Sequence, residues 1–251
     1  MAALTAAARR WTIEERAARI ELAACYRLIA QMRMTDLVYT HISARIPGTE
    51  HFLLNPYGFL FEEVCASNLV RVDIDGRVVE DTPHQVNPAG FTIHSAIHRA
   101  RPDVHCVLHT HTRAGIAVAS MREGLLPISQ IALQFHDRVA YHDYEGIALD
   151  LDERDRLAGD LGMRKAMILR NHGLLTAGES VPEAFSLMFY LERACEIQIA
   201  ALSTGRELVI PAPEICEKTA RQYEQDDEPA GTREWRALLR QLDRTDPGYR
   251  D

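Results

Sequence analysis

Apolar residues recur along this chain with two alternating periods, which predict helices and strands in turn. Thr12-Ile13-Glu14-Glu15 has the form of a capping box, and Ala17, Ile20, Ala24 and Leu28 follow at helical spacing. The pattern predicts a helix running to about Met32. From Leu37 to Ile46 the period becomes two. Val38, Thr40, Ile42, Ala44 and Ile46 share one face, while Tyr39, His41, Ser43 and Arg45 share the other. A strand with one apolar side and one polar, pocket-lining side is expected there. Phe52-Leu53-Leu54 then runs into the turn residues Asn55-Pro56-Tyr57-Gly58, and Val70 to Ile74 meets Asp75-Gly76 before Arg77-Val78-Val79. Both are hairpin signals, and direct hairpins require antiparallel pairing, so a purely parallel doubly wound sheet is excluded.

The second half keeps alternating. Phe91 to Ala100 reads as a helix stopped by Pro102, Val104 to His111 as a strand, and Ala114 to Met121 as a helix. Leu151 to Leu161 reads as another helix and Ala166 to Leu169 as a strand. Ser180-Val181-Pro182-Glu183 forms a second capping box with an early proline. Behind it, Ala184, Leu187, Met188, Leu191 and Ala194 make an apolar stripe that extends to about Leu202, with Gly205 as a stop. After Pro211 the chain becomes more polar, with one short candidate helix from Glu234 to Leu242. The whole chain, 1–251, reads as one domain with a core of about 20–205 and a C-terminal arm of about 206–251 reaching a neighbouring subunit.

Composition narrows the classes of function. With 47% hydrophobic residues in 251, the chain can build a large core. Its formal charge of -8 argues against nucleic acid as a partner, and no run of like charges suggests a membrane surface. A small-molecule substrate is the expected ligand. Cys25, Cys65, Cys106, Cys195 and Cys216 are odd in number and scattered, which indicates neither a disulfide framework nor a thiolate metal site. In Met1 to Arg10 the arginines follow the alanines, the reverse of a signal peptide. A cytoplasmic protein is therefore expected.

Three histidines carry the chemistry. His109 and His111 lie two apart in Val107-Leu108-His109-Thr110-His111, so on a strand their side chains share a face and can reach one ion. Met167-Ile168-Leu169-Arg170 has strand character just before His172, so two strand ends could converge on a metal. A buried His-x-His that hydrogen-bonds in the core is the alternative, and His172 favours the metal. His105 lies four residues before His109, about 13 Å away at the strand rise, and is read as structural. Three imidazoles leave an open coordination position for a divalent ion, with zinc first and manganese or iron next. Arg45 is a candidate carboxylate anchor through bidentate hydrogen bonding, with a structural ion pair as the alternative. His41 could supply or orient a proton, or simply bond to backbone at a strand edge.

The series Tyr39-Thr40-His41-Ile42-Ser43-Ala44-Arg45, Asn55-Pro56-Tyr57-Gly58, His109-Thr110-His111 and Arg170-Asn171-His172-Gly173-Leu174 resembles the class II aldolase/adducin family in order and spacing. Ala89-Gly90-Phe91-Thr92-Ile93-His94, Arg101-Pro102-Asp103-Val104 and Val139-Ala140-Tyr141-His142 echo its adducin branch. The resemblance implies an α/β/α layered domain around a largely antiparallel sheet, a divalent metal on His109, His111 and His172, and a homotetramer with sites between subunits.

The resemblance also marks departures. Family aldolases use a glutamate four residues before the histidine that matches His94, and here that position is Gly90, which has no group to move a proton. Tyr57 and Gly58 stand where a phosphate is cradled, Thr40-His41 replaces a Gly-Asn pair, and Pro88-Ala89 replaces paired serines. A phosphorylated sugar is accordingly disfavoured. His136 and Tyr141 fall in a segment near the family's substrate and are candidates for the missing proton donor. Ser43, Asn55, Tyr57, Gly58 and Gly90 are the candidate substrate-binding positions. The expected activity is a metal-dependent carbon-carbon lyase, by decarboxylation or retro-aldol cleavage of a small hydroxy- or oxo-carboxylate. The alternatives are a non-haem iron oxygenase on the same fold and a non-catalytic, adducin-like scaffold.

Overall fold

The computed structural model describes residues 11–147, 152–225 and 227–251, and is silent on the side chains of 88 and 89. The reading of Met1 to Arg10 lies outside these residues, as does Leu151, where the pattern began a helix. The helices are α1 (Ile13–Gln31), α2 (Pro88–Ala100), α3 (Arg113–Ala119), α4 (Gln130–Leu133), α5 (Glu153–Leu161), α6 (Val181–Ser203), α7 (Pro213–Tyr223) and α8 (Thr232–Thr245). The strands are β1 (His41–Arg45), β2 (Phe52–Leu54), β3 (Val70–Val72), β4 (Cys106–Thr110), β5 (Val139–His142), β6 (Ala166–Leu169) and β7 (Gly173–Gly178). They form one seven-stranded sheet in the order β3-β2-β1-β4-β7-β6-β5. Every neighbouring pair is antiparallel except β5 and β6. The fold is thus α/β with a largely antiparallel central sheet between helical layers.

Alternation along the strands separates the two faces. Ile42 and Ala44 of β1, Cys106 and Leu108 of β4, Ile168 of β6 and Leu174 of β7 join the main core with α1, α3, α6 and α8. Val107, Met167, Leu169, Leu175 and Ala177 point the other way, onto Ile93, Ala96 and Ile97 of α2 and Leu157 and Leu161 of α5. Leu22 and Leu28 of α1 are fully buried, and each such side chain contributes roughly 1.5 to 3 kcal/mol of apolar transfer. Thr12 caps α1 by accepting from the Glu15 N–H at 3.1 Å, as the capping box requires.

Several elements differ from the periodic reading. The strand expected from Leu37 begins only at His41, because Arg33 and Leu37 take left-handed conformations, with φ of 57° and 49°, in the turn out of α1. The Asp75-Gly76 hairpin reduces to one bridge between Val72 and Val78, held where the Asp73 carboxylate accepts from the N–H groups of Asp75 and Arg77. In the C-terminal segment, α7 was not foreseen, and the segment read as a reaching arm lies against its own chain. Trp235, Leu242 and Tyr249 are buried in the main core, and the Ala66 N–H donates to Tyr249 O at 3.0 Å. Among the described residues no helix is long and apolar enough to cross a membrane.

Candidate metal centre

One end of the central strands gathers the C-terminal end of β4 with the start of β1 and the hairpin between β6 and β7. His109 sits on β4, its Cα opposite His41 of β1 and Leu175 of β7. His111 follows just beyond the strand. His172 lies in the tight turn of the β6-β7 hairpin, where Leu169 pairs with Gly173 and the His172 N–H donates to Leu169 O at 3.1 Å. Asn171 takes φ of 56° in that turn, a conformation asparagine tolerates better than most side chains. Gly173 is needed for a different reason. A Cβ there would lie 2.3 Å from the Thr110 carbonyl oxygen and 3.3 Å from the rings of both His109 and His111.

The three rings converge through their Nε2 atoms, 2.8 Å between His109 and His111 and 2.9 Å between His111 and His172. For His109 and His111 the opposite nitrogens decide what their contact is. His109 Nδ1 lies 2.9 Å from Leu174 O, an acceptor, so Nδ1 carries the proton and Nε2 a bare lone pair. His111 Nδ1 faces the Asp36 carboxylate at 3.0 Å, with the same consequence. Lone pairs aimed at one another repel unless a cation lies between them. A proton is a poor candidate. Burial and then the charges of His172 and His111 push His109 well below the usual histidine value, and burial with His111 brings His172 down to about 4. A divalent ion fits this donor set. Ligand nitrogens about 2.1 Å from a tetrahedral ion stand about 3.4 Å apart, so the rings would open by roughly half an ångström on binding.

His41 lies beside the three rings, its centroid 5.2 Å from that of His109. Its ring fills the space of an absent side chain, since a Cβ on Gly90 would fall 2.6 Å from His41 Cδ2. An imidazole from β1 therefore occupies the space that a side chain at position 90 of α2 would need. It is bonded to a side chain, not to backbone: His41 Nδ1 lies 2.7 Å from His94 Nε2. The run continues from His94 Nδ1 to Ser43 Oγ at 2.6 Å, and from Ser43 Oγ to His98 Nε2 at 2.8 Å. Burial keeps all three imidazoles neutral at ordinary pH. His41 and His98 are both held down to about 3, His41 further repelled by His111 and His98 by Arg45, and His94 also lies well below its usual value.

The shared space has a measurable consequence. Gly90→Ala is expected to destabilise by about 1 to 3 kcal/mol, as overpacking does, despite alanine's better helix propensity. His41→Ala should relieve much of that cost, giving a coupling of about 0.5 to 3 kcal/mol in a urea-unfolding double-mutant cycle. Additive energies would show that His41 and Gly90 do not compete for the same volume.

The remaining sequence candidates divide. Asn55 is buried beside the Tyr26 hydroxyl, which accepts from the N–H groups of Ile42 at 2.7 Å and Asn55 at 3.2 Å. Tyr26 thus ties β1 to the turn after β2. Tyr57 and Gly58 are exposed in that turn, which the β1-β2 register places at the same end of the strands as His41. Ser43 is fully buried, and its hydroxyl links His94 to His98. Arg45 does not reach the three histidines. Four residues along β1 from His41, it donates to His98 O at 2.6 Å, and its ion-pair contact is a long one, 3.9 Å to the exposed Glu50. Tyr141 belongs to the opposite face of the sheet, packs against the main core, and accepts the Leu125 N–H at 3.1 Å. His136 lies by Asp137, with Nε2 3.6 Å from the carboxylate, in the turn before β5. Neither Tyr141 nor His136 is brought to the three rings. Sequence reasoning missed Asp36 and the His94–His98 pair, although the i, i+4 spacing of those two histidines on α2 was a usable signal.

Residues 20–199 match the family described as the class II aldolase and adducin N-terminal domain. The chain belongs to the class II aldolase and adducin family. Among solved structures of this family, an aldolase II superfamily protein from Pseudomonas syringae is 55% identical, with a TM-score of 0.94 covering 98% of this chain and 100% of that one. The L-fuculose 1-phosphate aldolase from Glaciozyma antarctica PI12 is 29% identical, with a TM-score of 0.84 over 95% of this chain and 93% of that one. Mouse alpha-adducin is 44% identical over 252 residues, covering 94% of this chain and 34% of the adducin. The chain thus spans about a third of that relative. Class II aldolase relatives support an aldolase or lyase type of activity and a small-molecule substrate.

Proposed function

We propose that this family member is a divalent-metal-dependent carbon-carbon lyase, of decarboxylase or aldolase type, acting on a small hydroxy- or oxo-carboxylate. The reading rests on the convergence of the His109, His111 and His172 ring nitrogens on one point, with bare Nε2 lone pairs on His109 and His111. His109, His111 and His172 would hold the ion, zinc first and manganese or iron next, and an ion bound there supplies a Lewis acid for a substrate oxygen. His41 acts beside it. With Nδ1 engaged by His94, the Nε2 atom is the one free to take a hydroxyl proton in retro-aldol cleavage or, as the Nε2–H tautomer, to give a proton to carbon after carbon dioxide loss, with water replacing the proton given. Loss of the family carboxylate at Gly90 favours decarboxylation, which needs no initial proton abstraction from carbon. The exposed Tyr57 occupies the turn where a phosphate would otherwise be cradled, which favours a substrate without one. We place the enzyme in the cytoplasm as a homotetramer, and the exposed Val209, Ile210 and Ile215 provide apolar surface for assembly.

The likeness to alpha-adducin favours a second reading, an oligomeric scaffold whose metal is structural. Elemental analysis of protein purified without added metal, followed by turnover on hydroxy- and oxo-carboxylates with and without oxygen, separates the readings. About one divalent ion per chain and oxygen-independent release of carbon dioxide or of a carbonyl fragment are expected. Turnover only with oxygen would replace the lyase by an iron oxygenase. Bound metal without turnover would favour the scaffold, and absence of metal would overturn the centre.

A further inference from the structure

His111 is the ligand candidate most in need of an external restraint. His109 is almost fully buried and pinned by the Leu174 carbonyl, and His172 is carried by a tight hairpin. His111 stands beyond the end of β4, its side chain one-fifth exposed. What reaches it is a carboxylate 75 residues earlier in the chain, Asp36, whose Oδ2 lies 3.0 Å from His111 Nδ1.

We propose that Asp36 is a positioning residue of the metal centre, accepting the His111 Nδ1–H so that Nε2 points as a bare lone pair at His109 and His172. The inference rests on the metal reading above. The chemistry is that of a carboxylate–histidine–metal triad, in which the outer acceptor fixes tautomer and ring orientation and raises the basicity of the ligand nitrogen. The loop is shaped for this placement. It leaves α1 through Arg33 at φ of 57°, and turns again at Leu37 at φ of 49°, so Asp36 lies between two left-handed residues that are not glycine. Such conformations carry a steric cost that a loop with no positional demand would avoid. The Asp36 carbonyl accepts the Tyr39 N–H at 3.0 Å, which closes the turn into β1 and fixes the aspartate relative to that end of the strands. An ordinary surface ion pair with a protonated His111 would need only proximity. It would not need the Nε2 atom of the same ring to sit 2.8 and 2.9 Å from two other imidazole nitrogens.

The test uses the full-length chain, stripped with a chelator and titrated with zinc against a competing indicator. Asp36→Ala is expected to bind zinc 10- to 100-fold more weakly than the wild type, the range found when an outer-shell carboxylate is removed. Asp36→Asn keeps an acceptor oxygen without the charge and should fall between them. A second readout is independent of metal: 15N chemical shifts of metal-free protein should show His111 as the Nδ1–H tautomer in the wild type and as a mixture in Asp36→Ala. Asp36 is partly exposed, so the melting temperature of the metal-free variant should stay close to that of the wild type. Equal zinc affinity in wild type and Asp36→Ala, or a His111 Nε2–H tautomer in a wild type that still binds zinc, would overturn the role of Asp36 while leaving the metal centre standing. Failure of the wild type itself to bind zinc would overturn both.

Discussion

His111→Ala loses zinc affinity by more than about a hundredfold while the fold persists. The magnitude follows from comparison with outer-shell changes, which cost about 10- to 100-fold, whereas this substitution removes a donor nitrogen outright. His111 is the middle member of the set, within 2.9 Å of both other Nε2 atoms, so its loss leaves His109 and His172 without the ligand that links them. The fold should survive because the side chain lies beyond the end of β4 and is partly exposed, and because alanine leaves no strained backbone there. Competition titration measures the affinity and circular dichroism the fold. Unchanged metal stoichiometry in the folded variant would remove His111 from the centre.

Gly173→Ala is expected to cost about 3 kcal/mol or more of stability, at the upper end of overpacking costs. The added Cβ would lie 2.3 Å from the Thr110 carbonyl oxygen, and backbone in a paired strand cannot move aside as a flexible side chain can. Relief requires β7 and β4 to separate, which also spreads the rings of His109 and His111. Urea unfolding should therefore show lost stability, and metal binding should weaken in the fraction that folds. Gly159→Ala in α5 is the control, because nothing lies within 4 Å of its added Cβ. That variant should be neutral or gain about 0.5 to 1 kcal/mol, as expected in a helix interior. Equal behaviour of the two variants would contradict the close approach at Gly173.

Local patterns account for much of what the chain could say alone. Period and caps located α1 and α6 closely, and the alternation through Val107, Leu108 and His109 placed two imidazoles on one side of a strand end. Those readings succeed because side-chain direction along a helix or strand is set by neighbours a few residues away. The strand from Ala166 to Leu169, just before His172, was legible for the same reason. Short elements were harder. β5 escaped notice because it is four residues long and its pairing partner, β6, is parallel and joined to it through α5. The C-terminal helices looked polar because their buried contacts are few and widely spaced, at Cys216, Ala220, Trp235 and Leu242.

By itself, then, the sequence determined the layered α/β class, the family and the three histidines that could bind a metal. Tertiary structure decided what surrounds them. It sends Arg45 to a helix carbonyl, puts Tyr141 on the other face, seats His41 against Gly90, and brings Asp36 to His111. Each of these depends on strand register, on helix docking, or on a turn closing between residues far apart in the chain. Such relations arise only when the sheet is assembled, because no periodicity within one segment specifies which atom of another segment will face it.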